Sequence, residues 1–221
     1  MPAPDFRLEI GRCALLVNDL QQRMVEPSSP AYAPAAAAAV ERLGPLLAFC
    51  RAHGIPTVFA LIPEGQTRIQ RPGDERLAAS LWRVADALGA GPADLVFEKP
   101  FVANGLWPIS GLWQDTPVDA YLCERGRDTV MIAGTTLQYG CDTTVREASN
   151  RGYYVAALRD CCAVRPIPDR GWGPVAEADV ERVVFSAWAQ WFARLLTAAE
   201  ALAELRAQLS SAPSPPGRGP G

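Results

Sequence analysis

Two side chains of this sequence are of types that carry out acid–base chemistry together. Lys99 is the only lysine among the 21 lysine and arginine residues of the chain. Unlike arginine, lysine shifts its pKa readily when it is buried. Asp19 directly follows an apolar run, and an aspartate beside a lysine acts as a base when ionised, or as an acid when burial raises its pKa. The pair therefore predicts acid–base catalysis, and a purely structural ion pair is the alternative.

The elements that position these residues alternate along the chain. Short apolar runs predict β-strands at 13–17, 57–62, 95–97, 129–133 and 153–158. Helical patterns separate these runs at 35–53, 75–88, 118–125 and 143–151. Such alternation is typical of a parallel sheet that is covered on both faces. We predict an α/β fold, doubly wound in three layers around a mainly parallel sheet of five strands, or six if 182–185 adds one.

The carboxyl ends of the parallel strands predict where the site lies. Ligands of open α/β sheets bind beyond these ends, where the strand order reverses. The rule selects Asp19, Lys99, Asp160 and the segments 63–70 and 134–141. We therefore expect Asp19 and Lys99 to share one crevice.

One domain accounts for residues 8–209. Its last helical pattern covers 187–209 and carries one apolar face, formed by Trp188, Trp191, Phe192, Leu195 and Leu196. This face predicts docking onto the domain, and packing on a second subunit is the alternative. Residues 210–221 are rich in Pro, Gly and Ser, and we expect them to form a disordered tail.

A loop at 104–116 follows the third predicted strand and contains two tryptophans. Loops of this length inside a compact domain are often binding segments or lids. Asn104 and Trp107 are therefore candidate substrate-binding residues, since an indole ring stacks well on a flat substrate. Capping of a hydrophobic edge is the alternative role for the tryptophans.

Composition and charge argue against several classes of function. With 49% hydrophobic and 20% charged residues the composition is that of an ordinary globular chain, and no apolar run approaches the ~20 residues of a membrane helix. A net charge of -3 without a basic block argues against nucleic-acid binding. No glycine-rich phosphate motif follows the first strand, and His53 is the only histidine. We therefore expect small-molecule chemistry or protein binding, with no nucleotide cofactor and no metal.

The six cysteines occur without a CxxC pair, and no signal peptide is recognisable at the N-terminus. We expect free thiols and a location in the reducing cytoplasm. The adjacent Cys161 and Cys162 are expected to be small core residues.

Three segments together resemble the isochorismatase-like hydrolase family, part of the cysteine hydrolase superfamily. They are 17–21 around Asp19, 97–99 ending at Lys99, and 132–148. The resemblance covers most of the chain and implies the doubly wound fold, a metal-independent hydrolase without cofactor, and a homo-oligomer. Most members use an Asp, a Lys and a Cys nucleophile, so the resemblance implies the first two roles for Asp19 and Lys99.

The nucleophile position departs from the common pattern of that family. In the amidase branch the catalytic Cys follows a Gly by six positions and precedes a Thr by three, and here both spacings, counted from Gly134 and Thr143, lead to Gly140. Cys141 takes the next position, about 100° further around a helix. A Gly at this place is similar to the true isochorismatases, which lack the thiol. The resemblance implies that Gly140 leaves room for substrate, and that the backbone N–H groups of Gly140 and Cys141 bind a carboxylate or oxyanion.

Further candidate substrate-binding residues come from the same resemblance. Gln66 and Arg76 fall near the substrate-binding segment of the isochorismatase branch. Gln138 and Tyr139 directly precede Gly140.

Three functional hypotheses follow from these residues. The first is hydrolysis without a Cys nucleophile, in which Asp19 acts as acid and base on a small carboxylate-bearing metabolite of specialised metabolism, with a vinyl ether as the best-motivated substrate. By resemblance, Asp19 would protonate the enol carbon and Lys99 would position and tune Asp19. The second is a thiol amidase or ureide hydrolase in which Cys141 attacks a carbonyl, because 143–153 resembles such enzymes more closely. The third is a catalytically silent member that binds a partner.

Overall fold

A computed structural model of the chain describes residues 5–64, 78–100 and 111–210. In these residues the strands are β1 Cys13–Asn18, β2 Thr57–Leu61, β3 Leu95–Glu98, β4 Thr129–Thr135, β5 Tyr154–Ala163 and β6 Arg194–Leu196. The α-helices are α1 Gln22–Val25, α2 Pro34–Ala52, α3 Val118–Cys123, α4 Asp142–Asn150, α5 Glu177–Ala187 and α6 Ala198–Ser210. The predicted α/β fold is confirmed.

The six strands form one sheet in the order β3-β2-β1-β4-β5-β6, and every neighbouring pair is parallel. The chain builds outward from β1 in one direction and then outward from β4 in the other. The strand order therefore reverses between β1 and β4, which is where an open α/β sheet places its ligand crevice. Side chains of β1, β2 and β4 are buried at every position, as their uninterrupted apolar runs predict.

Two hydrophobic clusters lie on opposite faces of the sheet and make the fold three-layered. One contains side chains of α2 and α6, such as Leu43 and Leu205, packed on Leu15 and Val17 of β1. The other contains side chains of α3 and α4, such as Leu122 and Val145, packed on the opposite face of the same strands. Within the described ranges, no helix is long and apolar enough to cross a membrane.

Two predicted elements near the C-terminal end of the domain were wrong. Residues 182–185 belong to α5, and the sixth strand is Arg194–Leu196. The predicted helix at 187–209 is instead a π-helical turn, this short strand and α6. Trp188 is fully buried while Trp191 is 52% exposed, so the aromatic positions do not share one face.

The predicted helix at 75–88 is also absent from its described part, 78–88, which contains a short 3-10 turn at Ala79–Leu81 and otherwise irregular backbone. The predicted tail begins one residue too early, because Ser210 ends α6. The rest of that prediction, 211–221, lies outside the described residues.

Candidate active site

Asp19 occupies the turn that directly follows β1. Its side chain is 5% exposed, and its backbone has φ of 57°, a left-handed conformation that Asp tolerates better than most residues. Two hydrogen bonds hold the turn: Asp19 N donates to Ala60 O at 2.9 Å, and Gln21 N donates to Asp19 O at 2.9 Å. The carboxylate is thus held at the carboxyl end of the sheet by backbone contacts on both sides.

Lys99 lies next to Asp19, as the sequence predicts. It follows β3, and its backbone N–H continues the sheet by donating to Leu61 O at 2.8 Å. Its Nζ atom donates to Asp19 Oδ2 at 2.6 Å, and the side chain is 2% exposed. The second carboxylate oxygen, Asp19 Oδ1, is buried and accepts no hydrogen bond from the described residues. Lys99 therefore fixes Oδ2 of the carboxylate, and Oδ1 remains available for proton transfer.

The protonation of Asp19 follows from this environment. Burial raises the pKa of the Asp19 carboxyl above its ordinary value, and the positive charges of Lys99 and Arg23 oppose that shift. A carboxyl group that is buried in this way holds its proton more tightly than one in water. Asp19 is thereby suited to donate a proton to a substrate.

Asn18 and Gln21 support the pair from either side, a role that the sequence analysis missed. Asn18 accepts a hydrogen bond from Lys99 Nζ at 3.3 Å and donates to Thr135 O at 3.2 Å, which connects the ion pair to β4. The fully buried Gln21 donates to Ile62 O at 2.9 Å. Both residues are amides that bracket Asp19 in the sequence, and that spacing was the available signal.

Gly134 allows β1 and β4 to approach closely beside Asp19. A Cβ atom at this position would lie 2.3 Å from Asn18 O and 2.8 Å from Asn18 Cβ. No side chain fits there without separation of the two strands. Glycine therefore sets the distance between the two strands at the point where the order of the sheet reverses.

The segment after β4 forms a π-helical turn, Leu137–Cys141, which continues into α4. Gly140 is thus inside a helical stretch, one turn past its beginning, and its carbonyl accepts a hydrogen bond from Thr144 Oγ1 at 2.7 Å. The Cys141 N–H donates to Thr136 O at 3.2 Å, so this amide is already engaged. Of the two predicted oxyanion donors, Gly140 N–H therefore remains the candidate.

The Cys141 thiol is fully buried in the cluster beneath α4. The Sγ atom of Cys162 in β5 donates to Ile132 O at 3.7 Å, and the neighbouring Cys141 together with burial raises the pKa of Cys162. By contrast, the charged groups that act on the Asp19 carboxylate are Lys99 and Arg23. Cys161 and Cys162 are core residues, as predicted, and all six cysteines are free.

The remaining predicted substrate contacts have different outcomes. Gln138 Nε2 donates to Arg165 O at 2.6 Å, and its Oε1 atom is buried without a hydrogen-bond partner in the described chain. Tyr139, in the same π-helical turn, is 55% exposed. Four further predicted residues lie outside the described ranges, namely Gln66, Arg76, Asn104 and Trp107.

Asp160 was wrongly expected in the crevice. It lies inside β5, which continues to Ala163, and its Oδ1 accepts a hydrogen bond from Ala198 N at the start of α6. The misplacement arises from a bulge, because the pairing of β5 with β4 shifts between Ile132 and Gly134. Arg165 lies two residues past the true end of β5, and its charge acts on that of Arg23.

Arg23 and Arg165 are the charged residues of this region that the sequence analysis missed. Arg23 is 1% exposed and acts electrostatically on Asp19 and on Arg165. Arg165 Nη2 donates to Ala31 O at 2.6 Å and contacts Met24 Sδ at 3.5 Å. The available signal for Arg23 was its place one helical turn after Asp19.

No group of three or more His, Cys, Asp or Glu residues suited to hold a metal ion occurs in the described part of the chain. His53 is exposed just after α2, and its ring contacts that of Phe49 in a tilted arrangement with centroids 4.2 Å apart.

Known proteins resemble this chain in sequence and in fold. Enterobactin synthase component B of Escherichia coli is 26% identical over 170 residues, which are 72% of this chain and 55% of that protein, so the chain spans about half of that relative's length. Maleamate amidohydrolase of Pseudomonas putida is 27% identical over 174 residues, 72% of this chain and 76% of that enzyme. The crystal structure of a cysteine hydrolase from Pseudomonas syringae pv. phaseolicola superposes with a TM-score of 0.82 at 27% identity, covering 94% of this chain and 98% of that one.

The family model for the isochorismatase domain matches residues 13–173, a range that runs from β1 past the end of β5. It includes both members of the Asp19–Lys99 pair and the segment around Gly140. Since this match covers more than half of the chain, the protein belongs to the isochorismatase family.

Proposed function

We propose that this protein is a hydrolase without cofactor that uses Asp19 for acid–base catalysis on a small carboxylate-bearing metabolite, with no Cys nucleophile. The observation that carries the proposal is the buried Asp19–Lys99 pair, in which one carboxylate oxygen is bound by Lys99 and the other has no partner in the described chain. Family membership supports hydrolysis. Oligomerisation, a cytoplasmic location and a role in specialised metabolism remain part of the same proposal.

The best-motivated substrate is a vinyl ether. Protonated Asp19 transfers its proton to the terminal enol carbon, and the ether carbon becomes an oxocarbenium ion. Water adds to that carbon, and the resulting hemiketal breaks into a ketone and an alcohol while a proton returns to Asp19. Lys99 holds the carboxyl in place and stabilises its ionised form after the transfer. The raised pKa of Asp19 favours the protonated form that begins the reaction.

The packing of Cys141 favours this proposal over a thiol amidase. A nucleophilic thiol must be ionised and within hydrogen-bond reach of its base. Cys141 is fully buried against Cys162, in the cluster on the α4 side of the sheet. The amidase hypothesis keeps support from the similarity to maleamate amidohydrolase and to the cysteine hydrolase, so it is the second candidate.

The deciding experiment compares two variants, each of which removes the sulfur of one of two cysteines that neighbour each other in the structure. Cys141→Ala and Cys162→Ala are assayed against carboxylate-bearing vinyl ethers and against monoamides of dicarboxylic acids. We expect turnover of a vinyl ether, equal activity in the two variants, and loss of activity in Asp19→Asn. Activity lost in Cys141→Ala alone would establish the amidase, and in-cell function retained by Asp19→Asn would establish a silent binding member.

A further inference from the structure

Arg23 is a buried cation with few contacts. It lies in α1, four residues after Asp19, and is 1% exposed. Its Nε and Nη2 atoms are buried, and no described residue accepts a hydrogen bond from them. The guanidinium carbon lies over the Trp82 ring, 4.6 Å from its centroid, in a cation–π contact. A buried charge with unfilled donors is costly, so this arrangement suggests that a bound group supplies the acceptors.

Asp19 does not fill this role. Its Oδ2 atom accepts from Lys99, and its Oδ1 atom has no partner in the described chain, so the carboxylate and the Arg23 guanidinium attract each other without a hydrogen bond. Burial lowers the pKa of Arg23 to about 10, which leaves the guanidinium charged at neutral pH. The cation therefore persists beside the reacting carboxyl, with N–H donors that no described residue fills.

Arg165 adds a second guanidinium to the same region. It follows the end of β5, its Nη2 atom is fixed by Ala31 O and Met24 Sδ, and its buried Nε atom lacks a partner among the described residues. Its charge repels that of Arg23. With Lys99, the described residues of the region include three cations and one anion, Asp19. Their net positive charge matches a ligand that carries negative charge.

We propose that Arg23, with Arg165 beside it, binds a carboxylate of the substrate next to Asp19. This inference rests on the proposed function in taking Asp19 as the reacting group. A carboxylate is the fitting class, because its two oxygens pair with the forked donors of a guanidinium. The bound carboxylate orients the substrate so that its reacting carbon lies at Asp19 Oδ1. Its negative charge also favours the protonated form of Asp19, so that substrate binding prepares the acid.

The test is a binding experiment that does not depend on turnover. The probes are acetate and succinate, each compared with its uncharged amide, acetamide and succinamide, and the readout is the melting temperature as a function of ligand concentration. In the wild-type protein we expect each carboxylate to stabilise more than its amide. Arg23→Gln is expected to weaken carboxylate affinity by about 10- to 100-fold, since hydrogen bonds to charged groups have this effect.

Three variants separate binding from folding. Arg23→Gln without ligand is expected to melt at or above the wild-type temperature, because it removes a buried charge with unfilled donors, whereas a structural role for Arg23 predicts a lower one. Arg165→Gln tests the same site from a half-buried position should Arg23→Gln fold poorly. Arg182→Gln on α5 is the control, since that arginine is 71% exposed and pairs with Asp179 of the same helix.

Two results would overturn the inference. One is a wild-type protein that does not distinguish the carboxylates from their amides. The other is a folded Arg23→Gln or Arg165→Gln variant that binds them as the wild type does. Failure of the proposed function gives a different pattern, in which Asp19→Asn keeps full turnover while carboxylate binding still depends on Arg23.

Discussion

An Asp–cation pair lies at each end of β1. The two pairs have the same charges but differ in solvent exposure and in the direction in which folding shifts the pKa of the carboxyl group. At the amino end, Arg12 precedes β1 and binds Asp128, which precedes β4, through Nε at 3.0 Å from Oδ1. These side chains are 43% and 48% exposed. At the carboxyl end, Lys99 and Asp19 are 2% and 5% exposed.

Folding shifts the pKa values of the two carboxyl groups in opposite directions. Hydrogen bonds from Arg12 hold the pKa of Asp128 below its usual range, so its ionised form stabilises the folded state. Burial raises the pKa of Asp19, so its ionised form is disfavoured by folding. At the amino end folding favours the ionised carboxylate, whereas at the carboxyl end folding favours the protonated carboxyl group. This difference marks the carboxyl end as the site of chemistry.

The largest expected effect comes from the same substitution made in each pair. Asp19→Asn is expected to lower kcat/KM by about 10²- to 10⁴-fold, the range that general acid–base catalysis contributes. Asp128→Asn removes the same charge at the opposite end of the sheet and should leave kcat/KM unchanged. Steady-state kinetics on a turned-over substrate, with thermal unfolding of each variant, measure both. Equal losses in the two variants would contradict the assignment of the site.

The pH dependence of activity sharpens the comparison. If Asp19 donates a proton, kcat/KM falls as pH rises through its raised pKa, whereas a base would give a rise. Lys99→Met removes a charge that lowers this pKa, so the falling limb should move to higher pH. Arg12→Gln removes the cation of the other pair and should leave the limb in place. A limb that does not move in Lys99→Met would show that another group titrates.

The next effect is on stability and concerns the close approach of β1 and β4. Gly134→Ala places a Cβ atom against the Asn18 backbone and should cost about 1–3 kcal/mol of unfolding free energy, as overpacking does. Gly44→Ala in α2 is the matched control, because nothing lies within 4 Å of its added Cβ. It should stabilise by about 0.5–1 kcal/mol through helix propensity. Chemical denaturation of both variants measures the difference, and a neutral Gly134→Ala would show that the strands can separate freely.

The smallest effect is expected for the exposed pair itself. Asp128→Asn should cost no more than about 1 kcal/mol at neutral pH, because solvent screens an exposed ion pair. The contribution is present above the unfolded pKa of Asp128 and is lost as pH falls through its lowered folded pKa. Denaturation of wild type and variant across acidic pH measures this convergence. A gap between them that persists at low pH would point to a cause other than the ion pair.

Much of the fold could be predicted from the sequence, because buried parallel strands leave uninterrupted apolar runs. The predictions failed where one pattern fits two structures. The apolar positions at 187–209 suit a single helix, but the backbone turns at Trp188–Phe192 and enters β6. The bulge that extends β5 past Asp160 depends on pairing with β4, which no local pattern reveals. Long-range contacts decide such features.

The site could be predicted in its central pair and not in its surroundings. Lys99 and Asp19 were identifiable because a single lysine is unusual and strand ends converge in a parallel sheet. Arg23 and Arg165 were not, since the place of Arg23 one helical turn after Asp19 does not reveal its burial, and nothing in the sequence distinguishes Arg165 from the other arginines of the chain. Their unfilled donors become visible only when burial and partners are known. A rare residue type can be recognised from the sequence, but a side chain with unfilled hydrogen-bond donors can be recognised only from the three-dimensional structure.

The contact between Gly134 and Asn18 has a consequence for how this protein could acquire new substrates. Because no side chain fits between β1 and β4 at position 134, a substitution of Gly134 must separate the two strands at the centre of the sheet. Variants that keep this glycine therefore keep the spacing between Asp19 and the chain after β4. Selection for a new substrate would then act on side chains that project beyond the strands. Libraries for directed evolution should vary those positions and keep Gly134 and Asn18 fixed.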